Sequence, residues 1–286
     1  MKIAVIGSSG YIASYLVRRL NSKPNITSIL RIDRSNADQE LELLKAEEFN
    51  YDVLNDVDYV IFTAAISGPD QCAEDFQVCW NINVEGTRTF IRNALSRNCK
   101  VLFFSSDAVF GEDCGKAFNE ESPTHAVTAY GRMKKAIEDE FKFESRFKAI
   151  RLSYVASSHD KFIKYCLSCV RDDKEAEVFH PFYRNCITLS EVGNIIVWLT
   201  RQWEDYPHRF LNAAGTELIS RVRLADELNR QIGNRLRYTV ALPDESFFKN
   251  RPRITQTESK YLHLYGILRE TSFAERFQSE LGGAIL

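Results

Sequence analysis

The chain is predicted to be an α/β protein, a doubly wound parallel sheet with a smaller C-terminal α/β domain. Three observations predict this. Short runs that are apolar on both faces alternate with helical periods through the first half, as strands of a parallel sheet covered on both sides do. The first of these runs passes into a helical segment through a glycine turn, "VIGSSGYIA". A later run, "KVLFFSSDAVFG", turns abruptly polar at Ser105, Ser106 and Asp107, and strand ends are where such a sheet keeps its chemistry.

In chain order, the expected strands are "KIAVIG", "TSILRID", "VDYVIFTAA", "VLFFSS" and "FKAIRLSYV". Between them lie helix candidates, "YIASYLVRRLN", "NINVEGTRTFIRNALSRN" and "TAYGRMKKAIEDEFKFES". Right-handed crossovers joining them wind the sheet in both directions. After about residue 155 the pattern loosens. A helix over 161–170, a charged turn "RDDKEAE", one returning strand "HRFLNAA" and a helix from "LADELNRQIG" precede loops and a polar tail. The expected division is residues 1–153 plus 187–213 as a dinucleotide-binding domain, and 154–186 plus 214–286 as a substrate domain.

The bulk properties narrow the function classes. At 286 residues the chain can bury a large core, and a net charge of −2 gives no electrostatic case for nucleic acid or an anionic membrane surface. No run approaches a membrane span, and the N-terminal apolar stretch is broken by Gly7 and Gly10, unlike a signal peptide. Seven scattered cysteines fit reduced thiols in the cytoplasm. Cys166 and Cys169 lie one helical turn apart with no second pair, and His159 and His180 form no ligand set, so no metal is expected.

Gly7 and Gly10, followed by Tyr11, Ile12 and Ala13, form a G-x-x-G-x-x-A turn that opens a helix. Glycine there lets the backbone approach a pyrophosphate at the positive end of the helix. Asp33 closes the second strand about twenty residues on. Its carboxylate suits a ribose diol, which favours NAD(H), whereas Arg34 could instead pair with the 2′-phosphate of NADP(H). A plain strand-end cap is the other reading of Asp33.

In "TAYGRMKKAIEDEF", Met133, Ile137 and Phe141 form one buried stripe, and Tyr130 and Lys134 share a different face. A phenol ordinarily titrates near pH 10, and a nearby ammonium is expected to lower it. With the Ser106 hydroxyl holding a substrate oxygen, the trio suits proton transfer at an alcohol or carbonyl while a nicotinamide exchanges hydride with its carbon.

Together, "GSSGYIA", Asp33, "TAA" at 63–65, "NINVEGT", "FFSSDAVFG" and "YGRMK" resemble the extended short-chain dehydrogenase/reductase family, the NAD-dependent epimerase/dehydratase superfamily with a Rossmann fold. The resemblance implies Ser106, Tyr130 and Lys134 as catalytic residues. It implies Gly7, Gly10, Tyr11, Ile12, Asp33, Arg34, Ala64, Ala65, Asn83, Tyr130 and Lys134 as cofactor contacts. "RNCITLSEV" and "NRPRITQTESK" resemble segments that make Arg184 and Arg251 ligands of a nucleotide-sugar diphosphate; surface salt bridging is the other reading of Arg251. Ala108 stands where the family's dehydratases carry a glutamate, and Ser-Ser-Asp-x-Val-Phe is similar to the dTDP-4-dehydrorhamnose reductase group. That similarity implies an NAD(P)H-dependent 4-ketoreductase of a nucleotide-linked deoxy sugar. A nucleotide-sugar 4-epimerase and a non-catalytic binding subunit are the alternatives. Asp107 touches substrate or holds a strand-end backbone group. By analogy with relatives, the two helices around residues 83–98 and 128–141 could pair with their copies in a homodimer.

Overall fold

The computed structural model describes residues 1–112 and 115–282. The chain divides into two compact units, Met1–Gly111 with Pro123–Arg151 and Ile196–Leu211, and Glu112–Ser122 with Leu152–Ile195 and Asn212–Leu286. The described residues of 112–122, and residues 152–153, 187–195 and 212–213, all grouped with the dinucleotide domain on sequence grounds, fall in the second unit.

The first unit is built on strands β1 (Lys2–Ile6), β2 (Ser28–Asp33), β3 (Gln39–Glu40), β4 (Tyr59–Phe62), β5 (Lys100–Ser106) and β6 (Phe147–Leu152). With the strand Phe210–Ala213 they form a seven-stranded sheet. From that strand the order is β6, β5, β4, β1, β2, β3. β1 pairs in parallel with β2 and β4, β4 with β5, and β2 with β3. The winding therefore reverses between β1 and β4, the point where a doubly wound sheet opens a crevice beyond its strand ends.

Both faces of the sheet are covered, as the unbroken apolar runs require. In β1, Ala4 and Ile6 join a core containing Phe62, Phe90, Phe103, Met133 and Ile137. Ile3 and Val5, which alternate with them, are equally inaccessible. Each buried Val, Ile, Phe or Met side chain among them stabilises the fold by about 1.5–3 kcal/mol relative to leaving it exposed. β3 was not anticipated. It is two residues long and has no apolar alternation of its own, so it carries no strand signal.

The second unit has smaller sheets. The strand Tyr183–Asn185 lies between Leu218–Ser220 and Ile254–Thr255, and Ala176–Phe179 pairs in parallel with Tyr238–Ala241. The helix Lys161–Arg171 begins at Asp160, whose carboxylate accepts from the amides of Phe162 and Ile163 at 3.0 and 3.2 Å. Cys166 and Cys169 sit one turn apart on its buried side, and the six described cysteines are free thiols. The C-terminal region, expected as loops and a polar tail, contains the helix Phe273–Leu281. A reciprocal Ser272–Glu275 capping box starts it, and Phe273, Phe277 and Leu281 bury it in the core.

Candidate functional site

The pocket beyond β1 and β4 is lined by Gly7, Ser9, Gly10, Asp33, Arg34, the 41–43 segment, Thr63, Ala64, Ala65, Ile66 and Ile82. Gly7 has φ +77°, and a Cβ there would stand 2.8 Å from the Cα of Ala64. Only glycine fits this turn. Tyr11 and Ile12 open the helix Tyr11–Asn21, whose N-cap is Gly10 without a side-chain cap, so its end is open to an anion.

Asp33 caps the glycine loop from the end of β2. Its Oδ2 accepts from Ser9 N and Ser9 Oγ, each at 2.7 Å, and its Oδ1 from Arg34 N at 2.8 Å. Burial pushes the carboxyl up, but the bonds from Ser9 and Arg34 outweigh it and hold the group below the usual carboxylate range. Asp33 is therefore an anion on the pocket wall, locked to the glycine loop. Asn83 acts one step back. Its Oδ1 accepts from Ile66 N and its Nδ2 donates to Ile66 O, both at 2.8 Å, so it holds the wall that Ala64, Ala65 and Ile66 form. Leu41, Glu42 and Leu43 were missed by sequence reasoning. The alternation of leucine and glutamate in "ELELL" marks an extended segment, but nothing in it points to a pocket.

The turn, the open helix end and the acidic strand end together fit a dinucleotide cofactor. A bound nicotinamide would supply a hydride acceptor and donor. Gly7, Gly10 and the helix start would hold its pyrophosphate, and Asp33 its adenosine ribose.

At the end of β5 the two serines part. Ser105 is buried and donates to Glu138 Oε1 at 2.5 Å. Ser106 is half-buried; its Oγ donates to Asp107 Oδ1 at 3.1 Å and accepts from Ala108 N at 3.2 Å, capping a short turn. The next helix, Ala129–Phe141, is capped by Thr128, whose Oγ1 accepts from Gly131 N at 3.1 Å. A Cβ on Gly131 would lie 2.3 Å from the carbonyl oxygen of Ala108. Glycine after Tyr130 thus lets the helix start press against the turn that follows Ser106.

Met133, Ile137 and Phe141 face the core as expected. Lys134 is 2% exposed and donates from Nζ to Phe104 O at 2.7 Å, with Nζ 4.5 Å from the Phe103 ring centre and 5.6 Å from that of Tyr130. The expected lowering of the phenol by the ammonium is not what results. Burial pushes the Tyr130 hydroxyl up, and Cys72 and Asp107 push it further. Burial also pulls Lys134 down to about 7, against the opposing influence of Glu138 and Cys72. Desolvation penalises both charged forms. The site therefore pairs a firmly protonated phenol with a lysine poised to change charge near neutrality.

The second unit holds the predicted arginines. Arg184 donates to the carbonyls of Tyr183 and Pro252 at 2.6 and 2.8 Å and lies over Phe182; Arg251 lies over Phe247 and donates to its carbonyl at 3.2 Å. A third cation was missed. Arg221, first residue of the helix Arg221–Gln231, stands over Phe162, Phe182 and Phe247, and its Nε is buried without a hydrogen-bond partner. Burial lowers its guanidinium, and Arg251 adds to that. Arg184 and Arg221 line one small cavity. The "SRVR" helix start gave only a capping signal.

Among the described residues no helix is long and apolar enough to cross a membrane, and no cluster of His, Cys, Asp or Glu could hold a metal ion.

A glycine turn at the switch point and a Tyr-Lys pair at the end of β5 define a dinucleotide-dependent class of protein. Residues 3–184 match the NAD dependent epimerase/dehydratase family, and the chain belongs to it. It is 29% identical over 177 residues to UDP-glucose 4-epimerase 2 of Arabidopsis thaliana, covering 53% of this chain and 51% of that protein. It is 26% identical over 182 residues to dTDP-4-dehydrorhamnose reductase of Sinorhizobium fredii, covering 62% and 59%. The chain thus spans between half and three-fifths of these curated relatives. Among solved structures, UDP-glucuronic acid 4-epimerase from Bacillus cereus, in complex with UDP-glucuronic acid and NAD, superposes with a TM-score of 0.82 over 98% of each chain at 19% identity. At that identity the likeness establishes the shared fold.

Proposed function

We propose that the protein is an NAD-dependent oxidoreductase of a nucleotide-linked sugar, working at C4 as an epimerase. The observation that carries this is the convergence of half-buried Tyr130 and buried Lys134 beside the end of β5, in the unit that also holds the pocket with the Asp33 anion. Tyr130 would hold and move the proton of the sugar hydroxyl, Ser106 would hold its oxygen, and Lys134 would orient the cofactor ribose. Asp33, kept anionic, and Glu42 on the same wall disfavour a 2′-phosphate, which supports NAD over NADP. A tightly retained NAD suits a redox-neutral epimerisation.

The relatives support the choice of substrate class. One is a UDP-glucose 4-epimerase, and the similar solved structure holds a UDP-sugar with NAD. Arg184, Arg251 and the additional Arg221 would meet the diphosphate; guanidinium groups suit that geometry. Ala108, in place of a proton-abstracting glutamate, argues against dehydration.

The 4-ketoreductase reading, the first expectation from the sequence, is second. It rests on the Ser105–Phe110 pattern and on similarity to a dTDP-4-dehydrorhamnose reductase. We place the protein in the reducing cytoplasm, where buried thiols stay free. A homodimer through the helices Thr87–Ser96 and Ala129–Phe141 would meet a charged surface, because Arg88 and Arg92 both pair with Glu140 there.

The test is interconversion of UDP-glucose and UDP-galactose by the purified protein, resolved by chromatography, beside its Tyr130→Phe variant. Turnover that falls by about 100-fold or more in the variant supports an enzyme using the phenol. Undiminished turnover in the variant would remove the phenol from the proposed chemistry, and turnover in neither protein would favour the non-catalytic binding subunit.

A further inference from the structure

Glu138 extends the series Tyr130, Lys134 by one more helical turn, and the reaction as proposed does not use it. It is a carboxylate in the interior, with its side chain 3% exposed, paired with Arg151 of β6 at 4%. Arg151 donates from Nε to both carboxylate oxygens at 3.0 and 3.1 Å and from Nη2 to Oε2 at 2.7 Å. The guanidinium also lies 4.9 Å from the Phe110 ring centre and 4.2 Å from that of Phe210. A buried ion pair adds little net stability compared with apolar residues of the same volume. Its presence here calls for a reason other than stability.

The geometry supplies one. Two adjacent residues at the end of β5 are gripped by two residues four apart on one helix. The Phe104 carbonyl accepts a hydrogen bond from Lys134 Nζ at 2.7 Å, and the Ser105 hydroxyl donates one to Glu138 Oε1 at 2.5 Å. The strand end that presents Ser106 and the helix face that presents Tyr130 are thereby fixed to each other through Glu138 and Lys134.

We propose that Glu138 is a positioning residue that acts through Lys134: with Arg151 and Ser105 it fixes the strand end on which the lysine rests, and it stands one helical turn beyond the ammonium. The inference rests on the reading of Lys134 as part of the reactive site. The other groups that face Lys134 are Tyr130 on its own helix, Cys72 of the helix Pro69–Glu74, and Asp107 through Tyr130. Burial disfavours charge on the lysine, Cys72 stays a thiol because its own burial raises it to about 12, and Glu138 is the carboxylate that opposes the desolvation.

The experiment reads Lys134 directly and needs no turnover. Protein labelled with ¹³C-lysine is titrated by NMR, and the Cε signal of Lys134 is assigned by its loss in Lys134→Met. The double variant Glu138→Gln/Arg151→Met removes the pair without leaving a buried lone charge. Its Lys134 midpoint is expected about one unit lower than in the natural chain. Glu138→Asp, which keeps the charge, is expected to restore most of the difference. An unchanged midpoint in the double variant, with only a lower Tm, would make the pair structural and overturn the proposal. Failure of the double variant to fold would overturn it as well, because the pair would then be needed for the fold itself. A silent sugar assay would bear on the proposed function alone.

Discussion

Lys134 and Phe104 are joined by a 2.7 Å hydrogen bond from the lysine Nζ to a backbone carbonyl of β5, and the lysine is almost wholly removed from water. A charged amine in that position is disfavoured by desolvation, which is why it is pulled from its ordinary 10.5 to about 7. The site keeps a residue that the fold would do better without.

Replacing that lysine should therefore separate function from stability. Lys134→Met is expected to lose nearly all turnover and to raise Tm, with a gain of about 1 kcal/mol or more. The stability of the natural chain should rise with pH between about 7 and 10.5, because over that window the unfolded chain holds a proton that the folded chain has released. The slope has an upper limit of about 1.4 kcal/mol per pH unit. It should be missing in Lys134→Met, as denaturant unfolding of both chains at several pH values would reveal.

The glycine loop offers a sharper steric test. Gly7→Ala places a Cβ against the Ala64 backbone at a positive φ. NAD affinity is expected to fall by about 100-fold, the equivalent of roughly 2.7 kcal/mol. Calorimetric titration of the cofactor would measure it.

On the proposed reading, cofactor choice turns on one charge. Asp33→Asn keeps the shape of the side chain and removes an anion from the pocket wall. The NAD-to-NADP affinity ratio should drop about tenfold or more, since one such charge contributes on the order of 1.4 kcal/mol. An unchanged ratio would assign discrimination elsewhere on the wall, with Glu42 the next residue to replace.

Arg221 carries the substrate prediction. Arg221→Met should raise KM for a nucleotide sugar about tenfold and leave kcat nearly constant, the signature of lost uniform binding. Stability should hold or increase, because the lost guanidinium is buried with an unpaired Nε. Steady-state kinetics and a melting curve test both parts.

Much of this was legible in the sequence, and what was not has physical causes. The glycine turn, Asp33, Ser106 and the Tyr130–Lys134 pair are local spacings visible without coordinates, and the structure brings them into one unit. The buried stripe of Met133, Ile137 and Phe141 is periodic, and periodicity reports a face. Direction of titration is different. It depends on how deeply Tyr130 and Lys134 are covered, and a pair that looks mutually stabilising on a helical wheel is dominated by desolvation once packed. Glu138 and Arg151 were unreadable for a related reason. They are thirteen residues apart, on a helix and a strand, and each looks like ordinary surface charge until β6 aligns beside β5. Arg221 was hidden among other arginines, and its character comes from three phenylalanines distant in sequence. The helix Phe273–Leu281 did carry its signal, a serine followed three residues later by glutamate, within a tail that its polarity made easy to dismiss.

The most direct measurement is the nicotinamide content of freshly purified protein, released by denaturation and quantified enzymatically. It would be set beside NADH and NADPH consumption with a nucleotide-linked 4-keto sugar. The expected result is close to one NAD per chain and no stoichiometric consumption. Protein that carries no NAD and oxidises reduced cofactor in step with loss of the keto sugar would contradict the epimerase and establish the 4-ketoreductase instead.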